Sequence, residues 1–125
     1  MQISLDTPDT EIYVKSYMPA EYIQLNQQQY AHSLIISSTN ILVAEQLPNE
    51  FSELSVKHVE QFLNFNADIY LLGTGSSHQI PHPDLLKVAF KKNKPLDFMD
   101  TNAACRTFNV LASEYRNVIA LLSLA

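Results

Sequence analysis

Two short, nearly uninterrupted apolar runs, residues 68–72 and 118–122, constrain the fold of this chain more than any other feature. A strand with apolar residues at successive positions has both faces covered, and the usual cover is a layer of helices on each side of a parallel sheet. The intervening sequence reads helix, strand, helix, over residues 84–93, 96–100 and 101–116. In the first helix Leu85, Leu86, Ala89 and Phe90 make the apolar face, with Lys87, Lys91 and Lys94 opposite. In the second, Ala104, Phe108, Leu111 and Tyr115 face inward, while Asn102, Arg106, Asn109, Ser113 and Arg116 form a polar stripe. This β-α-β-α-β order predicts parallel strands joined by right-handed crossovers.

The first half reads differently. Residues 11–17 and 22–26 are short strands, the former ending before Pro19. Residues 33–37 and 40–44 form a β-hairpin around Ser38-Thr39. After a breaker at residues 47–50, Ser55 caps a helix whose apolar stripe is Val56, Val59 and Leu63, supported by Phe62. The expectation is one mixed α/β domain over residues 1–125, with residues 1–20 a looser N-terminal extension.

Composition removes several classes. Hydrophobic residues at 46% suffice for a core, and 17% charge is too little for a disordered chain. The net charge of −5 lacks the footprint of a nucleic-acid binder. Half of the 8 basic residues, Lys87, Lys91, Lys92 and Lys94, are crowded together, but three of them close a helix, where cations offset the macrodipole. A single cysteine, Cys105, suits a reducing compartment. Asp6, Asp9 and Glu11 precede any apolar run, which fits neither a secretion signal nor an arginine-rich transit peptide, and no run is long enough to insert in a membrane. A cytoplasmic location is expected.

No complete catalytic constellation is present. Gly73-Thr74-Gly75 ends a buried strand where α/β folds place ligands, yet His78 stands where a dinucleotide fingerprint needs a small residue, and no P-loop lysine follows. There is no Gly-x-Ser-x-Gly elbow. His78 and His82 are four apart in a proline-containing loop, and with Asp84 they do not define a zinc set; no metal or cofactor is expected. Cys105 lies beside an apolar stripe and reads as a core residue rather than a nucleophile. Asp100 or Thr101 can cap the last long helix, whose free N–H groups attract anions, with Arg106 one turn on. Tyr13, Tyr17, Tyr22 and Tyr30 crowd the first third and could pack or serve as a docking surface.

The stretch Leu71-Leu72-Gly73-Thr74-Gly75, with a proline some six residues on, and the stretch from Met99 through Cys105-Arg106-Thr107-Phe108-Asn109 to Leu111 resemble the two hallmarks of the Mth-type domain family. Its function is largely unassigned; its members include an adipogenesis-associated protein and an assembly factor of respiratory complex I. The resemblance covers residues 17–122. It implies a three-layer fold, with a mixed central sheet flanked by helices and additional N-terminal antiparallel strands. It implies no reaction. Asn102 stands where the family usually has glycine, and Phe108 where it often has tyrosine. Two functional expectations follow. One is a non-catalytic protein-interaction domain, assembly-factor-like, with a protein partner. The other is a small-molecule or anion site between Gly73, Thr74, Gly75 and the helix start at Asp100, Thr101, Asn102 and Arg106.

Overall fold

The computed structural model describes residues 11–125; Asp6, Asp9 and the first ten residues of the expected extension lie outside them. Strands β1 (Val14–Met18), β2 (Tyr22–Leu25) and β3 (Gln28–Tyr30) form an antiparallel sheet in that order. The hairpin β4 (Leu34–Ser37) and β5 (Ile41–Val43) follows, then a 3-10 turn at Phe51–Glu53 and helix α1 (Val56–Asn64). The remainder is β6 (Ile69–Gly73), α2 (Pro83–Lys92), β7 (Leu96–Met99), α3 (Thr101–Ser113) and β8 (Val118–Leu122).

The second sheet has five strands in the order β5-β4-β8-β6-β7. Strand β6 pairs in parallel with β7 and with β8, as the two apolar runs require, and β8 pairs antiparallel with β4. Alternation along the strands sorts the side chains between two cores. Leu34, Ile36, Leu71, Ala120 and Leu122 face α3 and the small sheet; Ile35, Tyr70, Leu72, Ile119 and Leu121 face α1 and α2. Helices and the small sheet thus cover both faces of a mixed sheet, the architecture expected from the sequence.

Local signals explain the helix ends. Ser55 N–H donates to His58 Nδ1 at 2.9 Å, closing a capping box with histidine in the place glutamate usually takes. Pro83 occupies the first turn of α2, where its missing N–H costs nothing. Asn93 ends that helix in the left-handed conformation at φ 54°.

One strand escaped the sequence reading, and three expectations need correction. Strand β3, over the polar Gln28-Gln29-Tyr30, carried no hydrophobic signal because it is an edge strand. Phe90 does not face the core: it is 87% exposed, and Leu85, Val88 and Ala89 make the inward arc of α2 instead. One residue is a 100° step on a helix, so Leu85 and Ala89 cannot share a narrow seam with Phe90. Helix α3 stops at Ser113, leaving Tyr115 outside it at φ 60° and 89% exposed. Asn109, placed on the polar stripe, is turned inward onto β1. Its Oδ1 accepts from Val14 N–H and its Nδ2 donates to Val14 C=O, both at 2.8 Å.

Candidate functional site

In open α/β sheets, ligands bind beyond the carboxyl ends of the strands where neighbouring connections leave to opposite faces. That point lies between β6 and β7. The connection after β6 leads to α2, packed against α1; the connection after β7 leads to α3 on the other face. The crevice is therefore bounded by Gly73-Thr74-Gly75 and Asp100-Thr101, the two hallmark segments.

The two segments meet directly. Thr74 N–H donates to Met99 C=O at 2.8 Å, and Thr101 N–H donates to Gly75 C=O at 2.8 Å. The buried Thr101 hydroxyl accepts from Gly75 N–H at 2.9 Å and donates to Ser123 C=O at 2.8 Å. Both glycines are required by this approach. A Cβ on Gly73 would stand 2.8 Å from Thr101 Oγ1, and one on Gly75 would stand 1.9 Å from Ala125 O, at a residue whose φ is +97°. Thr74 continues the turn: its hydroxyl donates to Ser77 C=O at 2.7 Å and accepts from Gln79 N–H at 3.1 Å.

Residues 123–125, which follow β8, pack into this end of the sheet. Ser123 N–H donates to Gly73 C=O at 3.2 Å, and Ala125 N–H to Asn49 C=O at 2.9 Å. Leu124 N–H donates to Ser33 Oγ, while Leu124 C=O accepts from Tyr17 Oη, each at 2.9 Å. The sequence marked Gly73 and, as one of a tyrosine cluster, Tyr17, but not Ser33 or Asn49, because a lone serine or asparagine gives no pattern by which its distant partner could be found.

The start of α3 is largely occupied by its own chain. Asp100 Oδ1 accepts from Ala103 N–H at 2.8 Å, Asp100 C=O accepts from Ala104 N–H at 2.9 Å, and Thr101 N–H goes to Gly75. A carboxylate already sits on the positive end of the dipole. Asn102 and Arg106, one turn apart, are both exposed. The structure therefore gathers Gly73, Thr74, Gly75, Asp100 and Thr101 and leaves Asn102 and Arg106 at the solvent.

Burial pushes the Cys105 thiol up to about 12; the nearby Arg106 charge opposes this and Asp100 adds to it. Tyr17 is likewise pushed up to about 12 by burial, opposed by the Thr101 hydroxyl. A thiol held protonated in this way is a poor nucleophile at neutral pH. His82 is used structurally, its Nδ1 accepting from Asp84 N–H at 3.1 Å at the start of α2, and His78 stacks on Phe98 at 5.7 Å. Two open depressions lie elsewhere. One of about 510 Å3 runs between the small sheet and Thr39-Ile41; one of about 420 Å3 separates α1 from α2 at Val56, Glu60, Val88 and Lys91.

This fold has counterparts. The chain belongs to the family described as protein of unknown function (DUF498/DUF598), whose model matches residues 14–123. It is 32% identical over 111 residues to a Francisella tularensis protein named 13 kDa major membrane protein, covering 89% of each chain. Among the described residues of the present chain, no helix is long and apolar enough to cross a membrane. A solved Bordetella pertussis structure, a Mth938-like domain, shares the fold with a TM-score of 0.77 at 19% identity, covering 99% of this chain and 92% of that one. A more distant relative is the Danio rerio NADH dehydrogenase [ubiquinone] 1 alpha subcomplex assembly factor 3, 34% identical over 73 residues, which span 57% of this chain and 42% of the assembly factor.

Proposed function

We infer that the protein is a non-catalytic interaction domain of the assembly-factor kind, acting in the cytoplasm through a protein partner. The observation that carries this reading is the filled crevice. Where a doubly covered α/β sheet would hold a ligand, residues 123–125 already lie, bonded to Gly73, Ser33, Asn49 and Tyr17. A substrate there would have to displace buried backbone hydrogen bonds, each costly to leave unmade. The distant likeness to an assembly factor supports the same reading, and the buried, protonated Cys105 suits a reducing compartment.

Native affinity purification with mass spectrometry of both proteins and small molecules tests it. The expected result is reproducible enrichment of a protein partner. Retention of a small molecule with no partner would overturn it in favour of a site at Gly73-Thr74-Gly75 and Asp100-Thr101, with Asn102 and Arg106 at its rim. Direct contact between those segments favours this second reading. It requires that Arg106→Ala abolish a ligand-induced thermal shift in a metabolite screen.

A further inference from the structure

Helix α2 carries the most concentrated charge of the molecule. Residues 87–94 hold four lysines and no acid, in a chain of net charge −5. Lys87 and Lys91 are exposed one turn apart at the rim of the groove between α1 and α2, and Phe90 projects to one side of them at 87% exposure. Leu86, half-buried, lies one turn before Phe90 on the same side. Lys92 and Lys94 are tethered nearby, the first to Asn64 Oδ1 at 3.3 Å and the second over the Tyr70 ring at 5.6 Å, so their charges stay fixed at the same end. The nearest acids on these elements, Glu60 and Asp84, line the groove towards α1 together with Lys87, Lys91 and Lys92, which outnumber them there.

Helix-end lysines offset the macrodipole, but that accounts neither for Lys87, in the second turn, nor for an aromatic ring in water. A protein partner would need a pocket shaped to the ring. A bilayer interface needs none: it takes a protruding aromatic ring at the acyl boundary while lysine stems reach back to the headgroups. We propose that the exposed face of α2 docks reversibly on an anionic lipid surface, with Phe90 entering the interface and Lys87 and Lys91 meeting the phosphates. The acidic remainder of the molecule orients this face towards the membrane. Docking stands independently of the protein-partner reading and of the crevice.

The test is sedimentation of the full chain with vesicles of phosphatidylcholine, and of equal parts phosphatidylcholine and phosphatidylglycerol. Binding is expected only to the anionic vesicles, and to fall as salt is raised. Each lysine near such a surface contributes roughly a factor of five in partitioning, so K87Q/K91Q is expected to weaken binding roughly 25-fold. The chain has no tryptophan, so Phe90→Trp supplies a single reporter, and its emission is expected to shift to the blue on anionic vesicles. All the substituted side chains are on the surface, and circular dichroism verifies folding. The proposal is overturned by absent or equal binding to the two vesicle types, by unweakened binding of K87Q/K91Q, or by an unshifted tryptophan emission from sedimented Phe90→Trp protein. Capture on immobilised polyglutamate without vesicle binding would overturn it in favour of an acidic protein partner.

Discussion

Gly75→Ala perturbs the point where three segments meet. The φ of +97° suits glycine; holding an alanine there costs on the order of 1–3 kcal/mol. The new Cβ would lie 1.9 Å from Ala125 O, so residue 125 must retreat by more than an ångström. That movement strains Ala125 N–H to Asn49 C=O and the two bonds of the neighbouring Leu124, to Ser33 and Tyr17. Loss of two such bonds adds about 2 kcal/mol. The total is roughly 3–5 kcal/mol, or a fall in Tm on the order of 10–20 °C for a domain of this size. Urea unfolding followed by far-UV circular dichroism measures it. Arg106→Ala, at an exposed helical position, is the matched control and should stay within about 0.5 kcal/mol of wild type. A Gly75→Ala loss below about 1 kcal/mol would refute the packing argument. It would mean that residues 123–125 yield freely and that the crevice is open to ligands.

Thr101→Val keeps the shape but strands Gly75 N–H and Ser123 C=O, and should cost roughly 2–4 kcal/mol in the same assay, with Thr101→Ser largely restoring it. Asn109→Ala removes both bonds to Val14 and should cost roughly 2–3 kcal/mol; Asn109→Asp sets an acceptor against Val14 C=O and should be no better. Cys105 and Tyr17 have ordinary values of 9.0 and 10.0, raised to about 12 in the fold. As pH climbs, the unfolded chain therefore loses these protons first. The stability they contribute is whole below about pH 9 and drains away up to about pH 12. Urea midpoints across that window should fall, and less steeply for Cys105→Ala; an unchanged slope would remove Cys105 from the account.

Strands and helices with strong periodicity were legible in the sequence because burial on both faces leaves an unmistakable apolar run, as at 69–73 and 118–122. The parallel pairing of β6 with β7 and β8 followed from that reading. What escaped was anything decided by a single distant partner. Asn109 reaches Val14 across 95 residues, and no local rule distinguishes an asparagine that clamps a strand from one that faces water. Phe90 escaped for the opposite reason: an aromatic on a helix is assigned inward by default, and only the packed neighbours of α2 reveal the direction it takes. Of the residues proposed to form a cleft, the hallmark motifs located five at one crevice; the exposure of Asn102 and Arg106 depends on how α3 is rotated, which spacing alone does not fix.

The order of the central sheet has a consequence for how the molecule is made. Strand β8 is the last in sequence yet lies between β4 and β6. Until it emerges from the ribosome, the β4–β5 hairpin and the β6–β7 pair have no shared strand, and Tyr17 has no Leu124 to hold. The nascent chain therefore carries two unfinished half-sheets with open edges, and the structure closes in one late step when its middle is inserted. Folding should accordingly be slow for a domain of this size, and its aggregation risk should be concentrated in the interval before β8 joins the sheet.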